Sequence, residues 1–214
     1  MMRLSEVSYS LSEGADRRLL LDRLSLAFAP GRFACITGPS GTGKTTILSL
    51  LAGVAAPDAG QVLDNGVNIS GLSRDERSAW RRASVGLVFQ TCRLIDVLTV
   101  SDHLILVARL RQSPGAFAEG IRMLARLGLA DKLGHRPGQL SGGEKQRVAL
   151  AQALASHPRI VLADEPTAAL DRENALFVAN TLRHHAESTG AVVVAVSHDG
   201  AMIETAHDQF ALTK

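Results

Sequence analysis

The sequence predicts an α/β fold: a mostly parallel β-sheet core covered on both faces, with a helical block inserted into it. Two observations carry the sheet. Short apolar runs such as AVVVAVS (191–197) read as strands buried on both sides, which is the habit of parallel sheets. They alternate with stretches of helical spacing, as strand–helix–strand chains do. A third observation carries the insertion. From Thr99 to about Ser156 the pattern is mostly helical, broken at Pro114, at Gly128 and at the loop HRPGQ.

At 214 residues the chain is long enough for a full core, and 46% hydrophobic with 21% charged residues is a globular balance. The net charge of +2 gives no basic footprint, so the sequence predicts no nucleic-acid partner. Aromatic residues at 4% also argue against a base-stacking surface. Cys35 and Cys92 stand far apart in no metal-ligand spacing, which fits two reduced thiols. The start, MMRLSEVSYS, lacks the apolar core of a signal peptide. No apolar run nears the ~18 residues of a membrane span, so a membrane role would need a separate spanning chain.

Residues 3–9 and 22–29 read as strands joined by a loop over 11–18, LSEGADRR. RFACITG (32–38) is a buried strand entering a glycine-rich turn, and 44–53 reads as a helix ending near Gly53. GQVLDNGVNI reads as a hairpin around Asn65-Gly66, a strong turn pair. ASVGLVFQ (83–90) is a further buried strand. Beyond the helical block come a strand in RIVLADE (159–165), a helix over 172–188, the strand AVVVAVS and a last short strand near 208–212.

The segment GPSGTGKT (38–45) matches G-x-x-x-x-G-K-[ST] between a strand and a helix, the context that gives the motif its meaning. Glycines let the backbone wrap closely round phosphates with N–H groups pointing inward. The candidate nucleotide-binding residues are Gly38, Pro39, Ser40, Gly41, Thr42, Gly43, Lys44, Thr45 and Thr46. Lys44 would reach the β- and γ-phosphates, and Thr45 would offer its hydroxyl to Mg²⁺. In VLADEP, a strand places Asp164 and Glu165 on opposite faces. Asp164 then suits the metal and Glu165 is free to polarise an attacking water. LSGGE (140–144) reads as a helix start capped by Ser141 with Glu144 three residues on. The same N–H groups make a second anion site, which raises the question of why one domain carries two.

The ordered series GPSGTGKT, Gln90, LSGGEKQ, VLADEP, AALD and VSHD resembles the ATP-binding-cassette ATPases over essentially the whole chain. That resemblance implies a single P-loop NTPase cassette over residues 1–214. Its core with a small antiparallel β subdomain would span 1–90 and 157–214, with a helical subdomain at about 91–156. It implies ATP and Mg²⁺ as ligands, with Gln90 at the metal and the γ-phosphate and His198 beside the attacking water. It implies a head-to-tail homodimer in which Ser141, Gly142, Gly143 and Glu144, with Asp171, act across the interface on the other copy's nucleotide. The second anion site is then explained as the partner's. The family's adenine-stacking aromatic has no clear counterpart: Leu11 aligns with it and Tyr9 is the nearest aromatic, so either could pack on the base. The HRPGQLSGGEKQRVALAQALASHPRIVLADEPTAALD stretch is similar to ATPases of lipoprotein release, macrolide efflux and haem efflux. This implies an ATPase at the cytoplasmic face of the inner membrane, coupled to a separate permease that moves amphiphilic cargo. The alternative is a relative that signals in cell division, or an importer subunit. The permease socket is expected behind Gln90, at Leu94, Ile95, Val97 and Leu98.

Overall fold

The computed structural model describes residues 1–13, 16–168 and 170–213. Two sheets organise them. Strands β1 (Met2–Glu13), β2 (Asp16–Phe28), β4 (Ala59–Asp64) and β5 (Val67–Asn68) form an antiparallel sheet in the order β2-β1-β4-β5. Strands β3 (Phe33–Thr37), β6 (Val85–Val88), β7 (Ile160–Asp164), β8 (Val192–Val196) and β9 (Asp208–Ala211) form the second sheet, ordered β6-β7-β8-β3-β9. Its neighbouring strands all pair in parallel.

The parallel strands are apolar throughout because both their faces are covered. Side-chain alternation divides them between two cores. Phe33, Cys35, Val161, Ala163, Val193 and Ala195 face one core. Ala34, Ile36, Ile160, Leu162, Val192 and Val194 face the other, which also packs against the antiparallel sheet through Leu4, Val7 and Phe28.

Between β6 and β7 lie helices α3 (Val100–Leu110), α4 (Gly115–Arg126) and α5 (Gly142–Leu154), with single 3₁₀ turns at Ala130–Lys132 and Pro137–Gln139. Thr99 caps α3 through a reciprocal bond with Asp102, and Ser141 caps α5 in the same way with Glu144. The other helices are α1 (Lys44–Leu51), α2 (Arg74–Ser84), α6 (Arg172–Thr189) and α7 (Gly200–Thr205).

Two features differ from the sequence reading. The first strands are longer, pairing out to Glu13 and again from Asp16, where the sequence reads as a loop; Gly14 and Ala15 lie outside the described residues. Helices α2 and α7 were not anticipated. The only apolar side chains of α2 are Ala79, Trp80 and Ala83, too few to make an apolar stripe in the sequence. Its start is nonetheless written in the sequence, since Ser73 and Glu76 form a capping box.

Candidate functional site

Four adjacent strands of the parallel sheet, β6-β7-β8-β3, end on one edge. The C-terminal edge of such a sheet is where ligands bind in α/β folds. The turn after β3 carries residues 38–43, β6 is followed by Gln90, β7 ends at Asp164 and β8 is followed by His198. Their side chains and loops meet in one open cavity of about 840 Å³.

The turn after β3 is shaped by glycine. Gly38 lies at φ +143°, and a Cβ there would sit 2.6 Å from the Leu212 carbonyl oxygen. Gly43, at φ +90°, is the N-cap of α1 and supplies no side-chain cap. The first-turn N–H groups of α1 therefore remain available to an anion, and the helix dipole favours one. Lys44 is buried and its ammonium donates to the carbonyls of Gly38 (2.6 Å) and Pro39 (2.9 Å). Thr42 closes the loop by donating its hydroxyl to the Pro39 carbonyl at 2.9 Å. Ser40, Gly41, Gly43, Lys44, Thr45 and Thr46 line the cavity. This uncapped, cationic cradle fits a polyphosphate.

Beside it, the Thr45 hydroxyl donates to Asp164 Oδ1 at 3.2 Å. Burial raises the Asp164 carboxyl above its ordinary range, and the Thr45 bond and nearby Lys44 only partly oppose this. A bound cation would reverse that penalty. Among the described residues no cluster of three or more His, Cys, Asp or Glu side chains makes a metal cage. A site of one carboxylate and one hydroxyl next to a polyphosphate cradle suits Mg²⁺, which takes few protein ligands plus phosphate oxygens and water.

Glu165 follows at φ +44°, a left-handed conformation uncommon for a glutamate. Its backbone N–H donates to the Val196 carbonyl at 2.9 Å, tying it to the end of β8. Its carboxylate accepts the His198 backbone N–H at 3.4 Å and lies 3.6 Å from His198 Nε2. Both residues line the cavity with Gln90.

The structure does not bring every expected site residue together. Ser141 and Gly142 are exposed, and neither they nor Gly143 or Glu144 are among the residues lining the cavity. Ser141 Oγ accepts the Glu144 N–H at 3.2 Å, and the Glu144 carboxylate accepts the Ser141 N–H at 2.7 Å. These bonds hold the Glu144 carboxyl below its usual range. Asp171 caps α6, accepting the Asn174 N–H at 2.8 Å, and that bond lowers its carboxyl likewise. Arg147 of α5 donates to Asn174 Oδ1, so the starts of α5 and α6 are joined.

Of the two expected base contacts, Tyr9 is partly buried against the core and is not among the residues lining the cavity, whereas Leu11, two residues farther along β1, lines it with Arg18 and Leu20 of β2. The strand is long enough to leave the core behind between the two positions. Thr167, Ala168, Leu170, Val196 and Asp199 also line the cavity; the sequence motifs contain them but do not single them out as site residues. All lie within a few residues of Glu165 or His198, so adjacency to those two side chains was the available signal.

Comparison with known proteins agrees with this geometry. A family model described as ABC transporter matches residues 21–168. The lipoprotein-releasing system ATP-binding protein LolD of Nitrobacter winogradskyi is 38% identical over 198 residues, covering 92% of this chain and 85% of its own length. The macrolide export ATP-binding/permease protein MacB of Marinobacter nauticus is 36% identical over 98% of this chain, which spans 33% of that longer protein. Among solved structures, the ATP-binding cassette MJ0796, as a dimer in a post-hydrolysis state bound to ADP and Pi, superimposes with a TM-score of 0.85 at 32% identity, covering 100% of this chain and 94% of that one.

Proposed function

The chain belongs to the ABC transporter ATP-binding family, and from that premise we propose that it hydrolyses ATP as one half of a head-to-tail pair of cassettes that drives a separate membrane permease. One observation carries the reading. Phosphate loop, paired acids and histidine converge on one cavity, while the Ser141–Gly143 helix start is presented elsewhere on the surface.

In this reading the loop N–H groups and Lys44 bind the phosphates. Thr45, Asp164 and Gln90 would hold Mg²⁺, which would supply charge neutralisation at the phosphates. Glu165 accepts the proton of the water that attacks the γ-phosphorus, and His198 orients the Glu165 carboxylate. Ser141, Gly142 and Gly143 of a second copy close the cavity from outside, which explains two anion sites on one chain. Glu144 shapes that helix start, and Asp171 lies at the same face. Each nucleotide then holds the pair together until hydrolysis releases it.

Among the described residues no helix is long and apolar enough to cross a membrane. We place the cassette peripherally at the cytoplasmic face of the inner membrane, held by its permease. The names of the relatives favour export or extraction of an amphiphilic cargo such as a lipoprotein or a macrolide-like compound over signalling in cell division or import, and haem is a third cargo that the sequence resemblance alone implies. Residues of about 91–156 would act as the helical subdomain that moves against the core. A groove of about 450 Å³ at their boundary is lined by the apolar Leu87, Phe89, Val107 and Leu110, with Arg82 and Arg93 among its other lining residues. It suits an entering permease helix.

Phosphate release from Mg·ATP tests the enzymatic half of the reading. The purified chain should turn over, and Lys44→Ala should abolish binding and turnover together. Turnover by Lys44→Ala at the parental rate would overturn the assignment.

A further inference from the structure

We propose that Gln146 is a positioning residue for Gln90: its side chain staples the two ends of the bend at Gln90 and so holds Gln90 at the nucleotide cavity. This rests on the reading of Gln90 as a contact to Mg²⁺ and the γ-phosphate, and adds what keeps it in place.

Strand β6 ends at Val88, and the chain then bends at Gln90 and Thr91. Gln90 is exposed and lines the cavity. Among the described residues, 90–92 make no backbone–backbone hydrogen bond, so no local backbone bond fixes where Gln90 points. The restraint comes from α5. Gln146 Nε2 donates to the Phe89 carbonyl at 3.4 Å, and Gln146 Oε1 accepts the Cys92 thiol at 2.7 Å. The two bonded positions flank Gln90 and Thr91. At the surface, the Arg93 guanidinium lies 4.6 Å from the Phe89 ring centroid and closes the same bend.

The bonds admit one orientation of the amide. A carbonyl only accepts, so the amide nitrogen must face Phe89, and the amide oxygen then faces the thiol, which donates. Burial pushes the Cys92 thiol above its ordinary range, so at neutral pH it keeps the proton that it donates. Gln146 is 5% exposed and is the one polar side chain among the buried residues of α5, on a helix that also buries Val148, Leu150 and Leu154. Packing alone would favour an apolar side chain there. The amide is instead matched to the two groups on either side of Gln90.

The test compares the full chain with Gln146→Met, Cys92→Ala, Cys92→Ser, Gln90→Ala and the double variant Gln90→Ala with Gln146→Met. Methionine keeps the length of Gln146 and removes both bonds. In the nucleotide-free chain, Gln146→Met should quicken hydrogen exchange at residues 89–92, with melting curves confirming that it is folded. Its phosphate release at saturating Mg·ATP should fall about tenfold while equilibrium nucleotide binding stays within about threefold, the split expected of a misplaced group. Cys92→Ala should lose part of the same activity, and Cys92→Ser, which keeps a donor, should recover it. With Gln90→Ala already present, Gln146→Met should cause no further loss, because its effect passes through Gln90. The proposal is overturned by parental phosphate release in Gln146→Met, by unchanged exchange at 89–92, or by losses that multiply in the double variant. If Gln146→Met does not fold, the cysteine pair decides, and equal activity of Cys92→Ala and Cys92→Ser overturns the proposal. Parental phosphate release in Gln90→Ala would instead remove the reading of Gln90, and the proposal with it.

Discussion

Glu165 and His198 hold one another at two points: the Glu165 carboxylate accepts the His198 backbone N–H at 3.4 Å and lies 3.6 Å from His198 Nε2. The carboxylate is therefore aimed by the end of β8 rather than by its own strand. If Glu165 is the base, as proposed, fixing it this way should contribute about 10²-fold or more to hydrolysis. Glu165→Gln should keep Mg·ATP binding within a few fold and lose turnover by that factor. Parental turnover in that variant, measured by phosphate release, would remove Glu165 from the mechanism.

Asp164 gives a pH prediction of definite sign. Burial raises its carboxyl in the fold above the unfolded value, so the native state binds the proton more tightly. Its contribution to stability is present below the unfolded pKa and is lost as pH rises through the raised one. At neutral pH the charged Asp164 thus destabilises the nucleotide-free fold. Asp164→Asn should melt higher than the parent at pH 7, and the gap should close in acid. The same change should weaken Mg²⁺-dependent nucleotide binding. Comparing variant with parent matters, because Glu144 and Asp171, lowered by their capping bonds, respond to acid in the opposite sense. A variant that melts lower at pH 7 would contradict the account.

Asp64 anchors the junction of the two sheets. Its buried carboxylate accepts the Trp80 indole N–H at 2.9 Å and an Arg159 N–H at 3.0 Å, and Arg159 also donates to Ser84 at 2.9 Å. Arg159 is half-exposed and can return to water, so Asp64→Ala should cost about 2 kcal/mol rather than the full penalty of a buried ion pair. Chemical denaturation measures it. Nucleotide affinity should not change.

The groove separates docking from packing. Leu110 is 58% exposed at its edge, whereas Leu94 packs against the core. Leu110→Glu should leave the chain folded and binding nucleotide, yet uncouple it from its permease in a pull-down. Leu94→Glu should melt early, losing about 2 kcal/mol. Of the residues expected to form the socket at 91–100, Ile95 and Val97 are exposed, Leu98 is half-buried and Leu94 packs against the core, while Cys92 and Arg93 of that segment line the groove with Phe89, Val107 and Leu110. Early melting of Leu110→Glu would make it a packing residue.

The sequence showed most plainly what local chemistry dictates. Gly38, Gly43 and Lys44 could be read because close approach to phosphate demands those residue types in that order. The Ser141–Glu144 capping box was legible for the same reason, being a bond between residues three apart. The placement of Arg18 was not, because it depends on a pairing slip at Tyr9 and Ser10 that no side-chain pattern records. Helix α2 was hidden by the lack of an apolar stripe, and the Asp64–Trp80–Arg159 cluster by joining positions 64, 80 and 159 only through the tertiary fold.

In the proposed reading each complete site is built from two copies. Sedimentation of the Glu165→Gln chain with and without Mg·ATP tests it most directly. The chain should be a monomer without nucleotide, a dimer with it, and a monomer again when Ser141→Arg is added, with nucleotide still bound. A Glu165→Gln chain that binds Mg·ATP and stays monomeric, or a dimer indifferent to Ser141→Arg, would contradict it.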